Sequence, residues 1–140
     1  MVRKIIPDVV FCQDLLTLPP TATVREASRQ MAKRRVRSVL ITKDDRVEGI
    51  FTGSDLNDRV VALGLDPDKT RLAEVMTRQP HTIEPKSNAL EALRLMHERR
   101  CRHLPVCEGE RLIGVVSRRD FHGFEEDVVE HQRELAERMR

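Results

Sequence analysis

The feature that most constrains the fold is an internal repeat, in which residues 17–56 align with residues 82–121 at an offset of 65 positions without a gap. Twelve of the forty aligned positions are identical, far more than chance similarity between two α/β segments provides. The chain therefore encodes one structural unit twice. The identical pairs are Thr17/Thr82, Pro20/Pro85, Glu26/Glu91, Ala27/Ala92, Arg29/Arg94, Met31/Met96, Arg34/Arg99, Arg35/Arg100, Arg37/Arg102, Arg46/Arg111, Gly49/Gly114 and Asp55/Asp120.

Each copy predicts an extended piece followed by a helix. The stretches "LTLPP" and "HTIEP" end at proline, which neither continues a central strand nor lies inside a helix. Thr23 in the first copy, and Ser87 or Asn88 in the second, are predicted N-caps, with Glu26 and Glu91 in matching places. The predicted apolar helix faces are Val24, Ala27, Met31 and Ala32 in the first copy, and Ala89, Ala92, Leu93 and Met96 in the second.

A β-hairpin is predicted after each of these helices. The strand-like runs are "VRSVLIT" with "RVEGIFT" and "RHLPVCE" with "RLIGVVS", joined by the polar turns "KDD" and "EGE". A further helix over "DLNDRVVALG" follows the first hairpin, and Gly64 is a natural C-terminal stop. By the same offset, residues 4–16 are assigned to the first copy. The tail from residue 125 predicts a helix with a thin apolar stripe, typical of a docking or dimer face.

Charge and composition argue against several classes of partner. The 25 basic and 23 acidic residues leave a formal charge of +2, so no general field attracts nucleic acid or an anionic membrane. There is no Trp or Tyr to stack on bases. Polar residues interrupt the N-terminal stretch "MVRKIIPDVVFCQDLL", which is typical neither of a signal peptide nor of a membrane span. We therefore expect no nucleic-acid and no membrane partner.

The cysteines predict a reduced, cytoplasmic chain without catalytic thiol chemistry. Cys12, Cys101 and Cys107 are odd in number and form no C-x-x-C pair or metal-ligand spacing. An enzyme would have to pair Cys101 with His97 or His103, or Cys107 with His103, yet lone cysteines in strands are mostly small buried hydrophobic residues. We therefore predict no catalytic residue, no metal site and no catalytic cofactor.

Four motifs resemble the tandem cystathionine-β-synthase (CBS) domain pair, or Bateman module: "GIFTGSDL", "GVVSRRDF", "RHLPV" and "VMTRQPHTIEP". The likeness covers residues 4–123. It implies an α+β fold in which two β-α-β-β-α units of α/β type pack about a pseudo-twofold axis and leave two clefts. The predicted boundaries are residues 1–66 for CBS motif 1, 67–124 for CBS motif 2 and 125–140 for a C-terminal helix, together one free-standing Bateman module.

The polar residues predicted to bind a ligand in each cleft lie where the second hairpin strand ends. Thr52 and Ser117 end these strands, and Asp55 and Asp120 follow three residues later. Hydroxyl and N–H groups beside a helix N-terminus favour phosphate, and a carboxylate can accept two adjacent ribose hydroxyls. In the family, the matching aspartate holds the ribose, so the resemblance implies an adenine nucleotide ligand: AMP, ADP or ATP. The alternative is that both aspartates only cap their helices.

The second copy is predicted to be the stronger site because it carries more positive charge. Arg118 and Arg119 lie where the first copy has a glycine and Ser54, and guanidinium groups bind phosphate in a bidentate manner. Leu40 takes the place of Pro105, so the first cleft departs from the family pattern. By resemblance, the ligand-contacting residues are Thr82, Ile83, Arg102, His103, Leu104, Pro105, Val115, Ser117, Arg118, Arg119 and Asp120 in the second copy, and Arg37, Ile50, Thr52, Ser54 and Asp55 in the first.

The resemblance implies a regulatory sensor that binds the nucleotide and signals to a partner. A homodimer and an unidentified protein target are the expected macromolecular partners. One alternative is an assembly module whose clefts are empty or filled by side chains, favoured if arginines fold onto Asp55 and Asp120. Sensing of S-adenosylmethionine or NAD is a further alternative, although the sulfonium of S-adenosylmethionine would meet Arg118 and Arg119 unfavourably.

Overall fold

The structure, a computed structural model, describes residues 3–10, 13–121 and 133–139. These residues form two compact units. The first-repeat unit comprises Asp14–His81 with Glu110–Leu112, and the second-repeat unit comprises the described residues of Met1–Gln13, Thr82–Gly109 and Ile113–Arg140. Helices and six strands occur in the described residues, which confirms the expected α+β class. The predicted boundaries at residues 66 and 124 stay a prediction about the sequence repeats.

The first-repeat unit contains four strands and three helices. Strand β1 (Thr17–Leu18) runs parallel to β2 (Ser38–Lys43), β2 pairs antiparallel with β3 (Arg46–Thr52), and β3 pairs antiparallel with β4 (Thr77–Arg78). The helices are α1 (Val24–Arg34), α2 (Gly53–Asp55, continuing as Leu56–Val61) and α3 (Leu72–Val75). Side chains of all three helices and of β2 and β3 share one apolar core.

The second-repeat unit repeats this order of long helix and hairpin with elements of equal length. It contains α4 (Ala89–Arg99), the strand β5 (His103–Glu108), the part of its hairpin partner β6 (Arg111–Ser117) from Ile113 onward, and a single 3-10 turn at Arg118–Asp120. The helix α4 buries Ala89, Ala92, Leu93 and Met96, the whole predicted apolar face. A helical turn at Ile5–Val9 packs against the same core.

The predicted ends of both long helices are confirmed by their hydrogen bonds. The side chain of Thr23 accepts from the Glu26 N–H at 3.1 Å, and that of Asn88 accepts from the Glu91 N–H at 2.9 Å. Asn88, rather than the alternative Ser87, is therefore the cap. The helices end at Arg35 and Arg100, which adopt left-handed backbone angles with φ of 56° and 53°. One prediction on α1 is wrong, because Ala32 lies on the exposed side of the helix.

The N-terminal segment lies in the unit of the other repeat, not in that of the first copy. The Ile5 N–H donates to the Ser87 carbonyl at 2.8 Å, and the fully buried Ile5 side chain joins the core of α4 and β5. Reciprocally, the segment that precedes the second copy joins the first-repeat unit, where the Leu72 N–H donates to the Ala22 carbonyl at 2.9 Å. Of residues 4–16, which the sequence assigns to the first copy, the described residues up to Gln13 therefore pack with the second-repeat unit, whereas residues 14–16 lie in the first-repeat unit.

The repeated glycine in each second hairpin strand permits the close approach of that upstream segment. A Cβ on Gly49 would lie 2.6 Å from Met76 Sδ and 2.8 Å from the Thr77 carbonyl oxygen. A Cβ on Gly114 would lie 3.0 Å from Gln13 Oε1. The identity of Gly49 and Gly114 across the repeat thus has a steric cause.

The tail is described only in part. Residues 133–138 are helical, and Leu135 and Met139 are exposed. The other positions of the predicted C-terminal helix, 125–132 and 140, lie outside the described residues. Within the described ranges, no helix is both long enough and apolar enough to cross a membrane.

We predict that Gly49→Ala lowers the free energy of unfolding by about 1–3 kcal/mol, because the new methyl group overlaps a backbone oxygen that cannot rotate away. The matched control is Gly53→Ala, where an added Cβ meets nothing within 4 Å. Its stability should equal or slightly exceed that of the unmodified protein. Urea denaturation of both variants measures the difference, and equal midpoints for them would contradict the close approach.

Candidate functional site

The candidate site in each repeat is built by the residue that ends the second hairpin strand. At the end of β6, the carboxylate of Asp120 turns back, and its Oδ2 accepts from the Ser117 N–H at 2.6 Å and from Ser117 Oγ at 3.2 Å. At the end of β3, Asp55 Oδ2 accepts from the Thr52 N–H at 2.9 Å and from Thr52 Oγ1 at 3.1 Å. Both aspartates therefore cap the turn that follows the strand, and one carboxylate oxygen of each is used in doing so.

The second carboxylate oxygen of Asp55 is also engaged. Asp55 Oδ1 accepts from Thr77 Oγ1 at 3.4 Å and lies 3.6 Å from Arg59 Nε, one helical turn further along α2. Arg59 also donates to the carbonyl oxygens of Val75 and Met76. The Asp55 residue is only 9% exposed. In the first repeat the aspartate is therefore a buried, fully paired structural group.

Asp120 differs from Asp55 at this same oxygen. It is half-buried, and no donor among the described residues hydrogen-bonds to its Oδ1. The residue one turn further, which would match Arg59, is outside the described part of the chain. Where the first repeat continues into α2, the structure describes only the turn Arg118–Asp120 in the second. Asp120 thus keeps an acceptor oxygen at a half-buried position.

Basic residues surround this turn. The Arg118 N–H donates to the Arg102 carbonyl at 2.8 Å, so the start of β5 lies directly beside the end of β6. Arg102, Arg118 and Arg119 are exposed, and His103 is half-buried. The first repeat has the matching backbone bond, from Gly53 N–H to the Arg37 carbonyl at 3.3 Å. The structure therefore brings Arg102, Arg118 and Arg119 together with Ser117 and Asp120.

Several predicted contact residues are instead part of the cores. Leu104 is fully buried and Ile83 is 7% exposed, and both belong to the apolar core of the second-repeat unit. The carbonyl of the buried Pro105 accepts from the Ile83 N–H at 2.9 Å. Ile50 is also buried. By contrast, Thr82, Ser54 and Arg37 are exposed. Ligand contact by any of these residues stays a prediction.

The backbone of Val115, predicted to face the base, is occupied by a side chain that the sequence did not indicate. Gln13 Oε1 accepts from the Val115 N–H at 2.8 Å, and Gln13 Nε2 donates to the Val115 carbonyl at 2.7 Å. Gln13 lies 102 positions away in sequence, and no local pattern connects the two residues. Arg59 could have been found, since it stands four residues after Asp55 on a predicted helix, the spacing of a helical ion pair.

Neither of the two cysteines in the described ranges, Cys101 and Cys107, carries a sign of activation. Burial raises the pKa of the Cys101 and Cys107 thiols, which disfavours the thiolate that a nucleophile requires. Cys107 is only 6% exposed and lies in β5. Within the described ranges, no three His, Cys, Asp or Glu residues are grouped so that they could hold a metal ion.

We predict that Cys107 alkylates slowly in the folded protein, with a pH profile displaced to higher pH. The neutral thiol is the favoured form in the folded state, so the thiolate appears only above the pH at which an unfolded cysteine ionises, near 8.5. The measurement is the rate of iodoacetamide reaction in a Cys12→Ser, Cys101→Ser variant, with and without urea. A native profile lying below the denatured one would instead indicate an activated nucleophile.

Comparison with known proteins identifies relatives of similar sequence. The CBS domain protein CBSCBSPB3 of Arabidopsis thaliana is 44% identical over 102 residues, which are 72% of this chain and 18% of that protein. Arabinose 5-phosphate isomerase KdsD of Yersinia pestis is 35% identical over 109 residues, 77% of this chain and 33% of the isomerase. The chain therefore spans from about a fifth to a third of the length of these curated relatives.

Solved structures show the same fold. A CBS domain protein from Pyrobaculum aerophilum complexed with AMP has a TM-score of 0.77 and 26% identity, covering 88% of this chain and 95% of that one. A hexameric CBS-CP12 protein from bloom-forming cyanobacteria has a TM-score of 0.78 and 27% identity, covering 99% and 83%. The family model described as "CBS domain" matches residues 3–62 and 72–124. With two matches that together span most of its length, the chain belongs to the CBS domain family.

Proposed function

We propose that this chain is a regulatory module that binds an adenine nucleotide at the second repeat. The proposal is based on the difference in burial and hydrogen bonding between the two aspartates, Asp55 and Asp120. Asp55 is buried with both carboxylate oxygens engaged, whereas Asp120 is half-buried and its Oδ1 has no donor among the described residues. A carboxylate oxygen at such a position can accept a hydrogen bond from a ribose hydroxyl without breaking the turn.

The charges around Asp120 suit the phosphate of the same ligand. Arg102, Arg118 and Arg119 are exposed and lie in the two segments that meet at this turn. Guanidinium groups bind phosphate oxygens in a bidentate manner, and three of them favour a polyanion. The ribose would then lie at Asp120 and Ser117 and the phosphate at the arginines. A similar protein that is complexed with AMP supports this ligand class.

The first repeat is proposed to have a structural role. Its aspartate stabilises α2 through Thr52 and Arg59, and a ribose hydroxyl would have to displace Thr77 or Arg59 to reach it. The residues after Thr52 are Gly53 and Ser54, which carry no charge. We therefore expect one strong nucleotide site per chain.

Regulation requires a second component that reads the bound state. A ligand can shift a conformational equilibrium only by the difference between its affinities for the two states. We propose a homodimer and an unidentified protein target as the readers, in the reducing cytoplasm that the cysteines indicate. The isomerase relative contains a stretch similar to this chain, which supports an accessory role for such modules. No catalytic step is proposed for this chain itself.

A second candidate, an assembly module without a small ligand, is favoured by one contact. Arg59 lies 3.6 Å from Asp55, so the carboxylate of the first repeat is neutralised by the chain itself. An assembly module predicts that arginines fold across the clefts onto both Asp55 and Asp120, whereas Arg59 pairs with Asp55 from four residues further along the same helix. Asp120 has no such pairing among the described residues, and the nucleotide-binding function is therefore preferred.

We predict that Asp120→Asn weakens the binding of AMP, ADP and ATP by about 10- to 100-fold, the usual value of a hydrogen bond to a charged group. The asparagine keeps one oxygen to accept from the Ser117 N–H and replaces Oδ1 by an amide donor. The turn is thereby preserved while the ribose acceptor is lost. Isothermal titration calorimetry with each nucleotide measures the change.

Asp55→Asn is the matched control, because it makes the same substitution at the equivalent position. It should change nucleotide affinity by less than about threefold, while it costs at most about 1 kcal/mol of stability through loss of the Arg59 ion pair. Equal affinity in the unmodified protein and Asp120→Asn would remove the assigned site. Absence of binding by the unmodified protein, prepared free of carried-over ligand, would favour the assembly module.

A further inference from the structure

We infer that the Gln13 side chain and the base of the nucleotide compete for the same two backbone groups of Val115, so that ligand binding releases Gln13 from β6. The inference rests on the proposed function and adds a switch to it. Gln13 makes two short hydrogen bonds, 2.8 Å from the Val115 N–H and 2.7 Å to the Val115 carbonyl. Both groups belong to the strand that ends at Ser117, two residues before the proposed ribose site.

The base and Gln13 compete because the Val115 N–H can donate to only one acceptor at a time. The single N–H of Val115 is already directed at Gln13 Oε1 at 2.8 Å, and a short linear N–H bond has one acceptor. A base that accepts from this N–H must therefore remove Gln13. The Gln13 residue is exposed, so its side chain can rotate into water without leaving a buried polar group unsatisfied.

The chemistry of Gln13 shows which ligand edge fits. A carboxamide presents an acceptor and a donor on one carbon atom. The adenine edge presents the ring nitrogen N1 and the amino group N6 on adjacent positions in the same pattern, acceptor beside donor. A 6-oxopurine presents the same pair with the roles exchanged, since its ring N1–H donates and its exocyclic oxygen O6 accepts. Val115 therefore selects a base edge with adjacent donor and acceptor, and a purine that lacks the 6-substituent would satisfy only the N–H.

The equivalent strand of the first repeat is covered differently. There, Ile50 pairs with Thr77 and Gly49 with Arg78, so the main chain of β4 occupies the edge. Arg78 is the offset equivalent of Gln13, and its side chain donates to the Ala73 carbonyl at 2.7 Å. A strand pairing cannot rotate away as a single side chain can. The second repeat is therefore the one in which a movable side chain, that of Gln13, occupies the strand edge. It also contains Asp120, whose Oδ1 has no donor among the described residues.

The Gln13 side chain lowers the apparent affinity of the protein for the nucleotide, because only molecules in which Gln13 has left Val115 can bind the base. Removing it should strengthen binding. Gln13→Ala should bind AMP about 3- to 10-fold more tightly than the unmodified protein, measured by isothermal titration calorimetry on the full chain. Gln13→Met, which keeps the length of the side chain but not its hydrogen bonds, should behave alike. The control Gln30→Ala, in α1, should leave the affinity unchanged.

A spectroscopic measurement follows the release directly. The side-chain amide signal of Gln13 in a ¹⁵N-labelled protein is assigned by its disappearance in Gln13→Ala. It should move toward the position of a solvated amide when AMP is added. Ribose 5-phosphate, which has the sugar and phosphate but no base, should leave it in place. Purine riboside 5′-monophosphate, which lacks the 6-amino donor, should bind more weakly than AMP.

The outcomes separate this inference from the proposed function. If AMP binds the unmodified protein, Gln13→Ala and Gln13→Met with equal affinity and the Gln13 amide signal does not move, the competition is wrong while the nucleotide site stands. If AMP binds none of the proteins, including Gln30→Ala, both the proposed function and the inference are wrong. The inference is supported if both Gln13 variants bind AMP more tightly than the unmodified protein and if AMP, but not ribose 5-phosphate, releases the Gln13 amide.

Discussion

The close approach of an upstream segment to the second hairpin strand is the contact on which both repeats depend. At Gly49 the distance leaves no room for a methyl group beside Met76 and Thr77, and at Gly114 it leaves little beside Gln13. This contact brings Thr77 to Asp55 in one unit and Gln13 to Val115 in the other. Residues that surround each candidate site therefore come from a stretch that precedes the other repeat in sequence.

The same arrangement of residues at the end of the second hairpin strand has a different role in each repeat. In both units a strand-ending hydroxyl residue and its N–H hold an aspartate three residues on, which stabilises the turn. What differs is the remaining oxygen. Arg59 and Thr77 bind it in the first repeat, so the carboxylate serves stability, whereas in the second no donor among the described residues binds it, and three exposed arginines lie in the two segments that meet at this turn. Both Asp55 oxygens are thus occupied by groups of its own unit, and this separates a structural aspartate from a ligand-binding one.

Local elements were predictable because their causes are local. The caps at Thr23 and Asn88 and the polar turns of the hairpins follow from side-chain chemistry within four residues. The error at Ala32 has the opposite origin, because alanine is compatible with either side of a helix and only the packing decides which one it occupies. Ile83 and Leu104 were expected beside a ligand for the same reason, since an apolar side chain suits a cleft wall and a core alike.

The sequence by itself determined the repeat, the order of its elements, and the strand-ending hydroxyl and aspartate in each copy. Identity at a constant offset and short-range capping are properties that a linear chain carries. Only the tertiary structure decided that residues up to Gln13 pack with the second repeat, and that Gln13 covers Val115 across 102 positions. It also decided that both carboxylate oxygens of Asp55 have partners, whereas within the described ranges Asp120 Oδ1 has none. Hydrogen-bond capacity is filled by whichever groups folding brings close, and sequence separation places no limit on that choice.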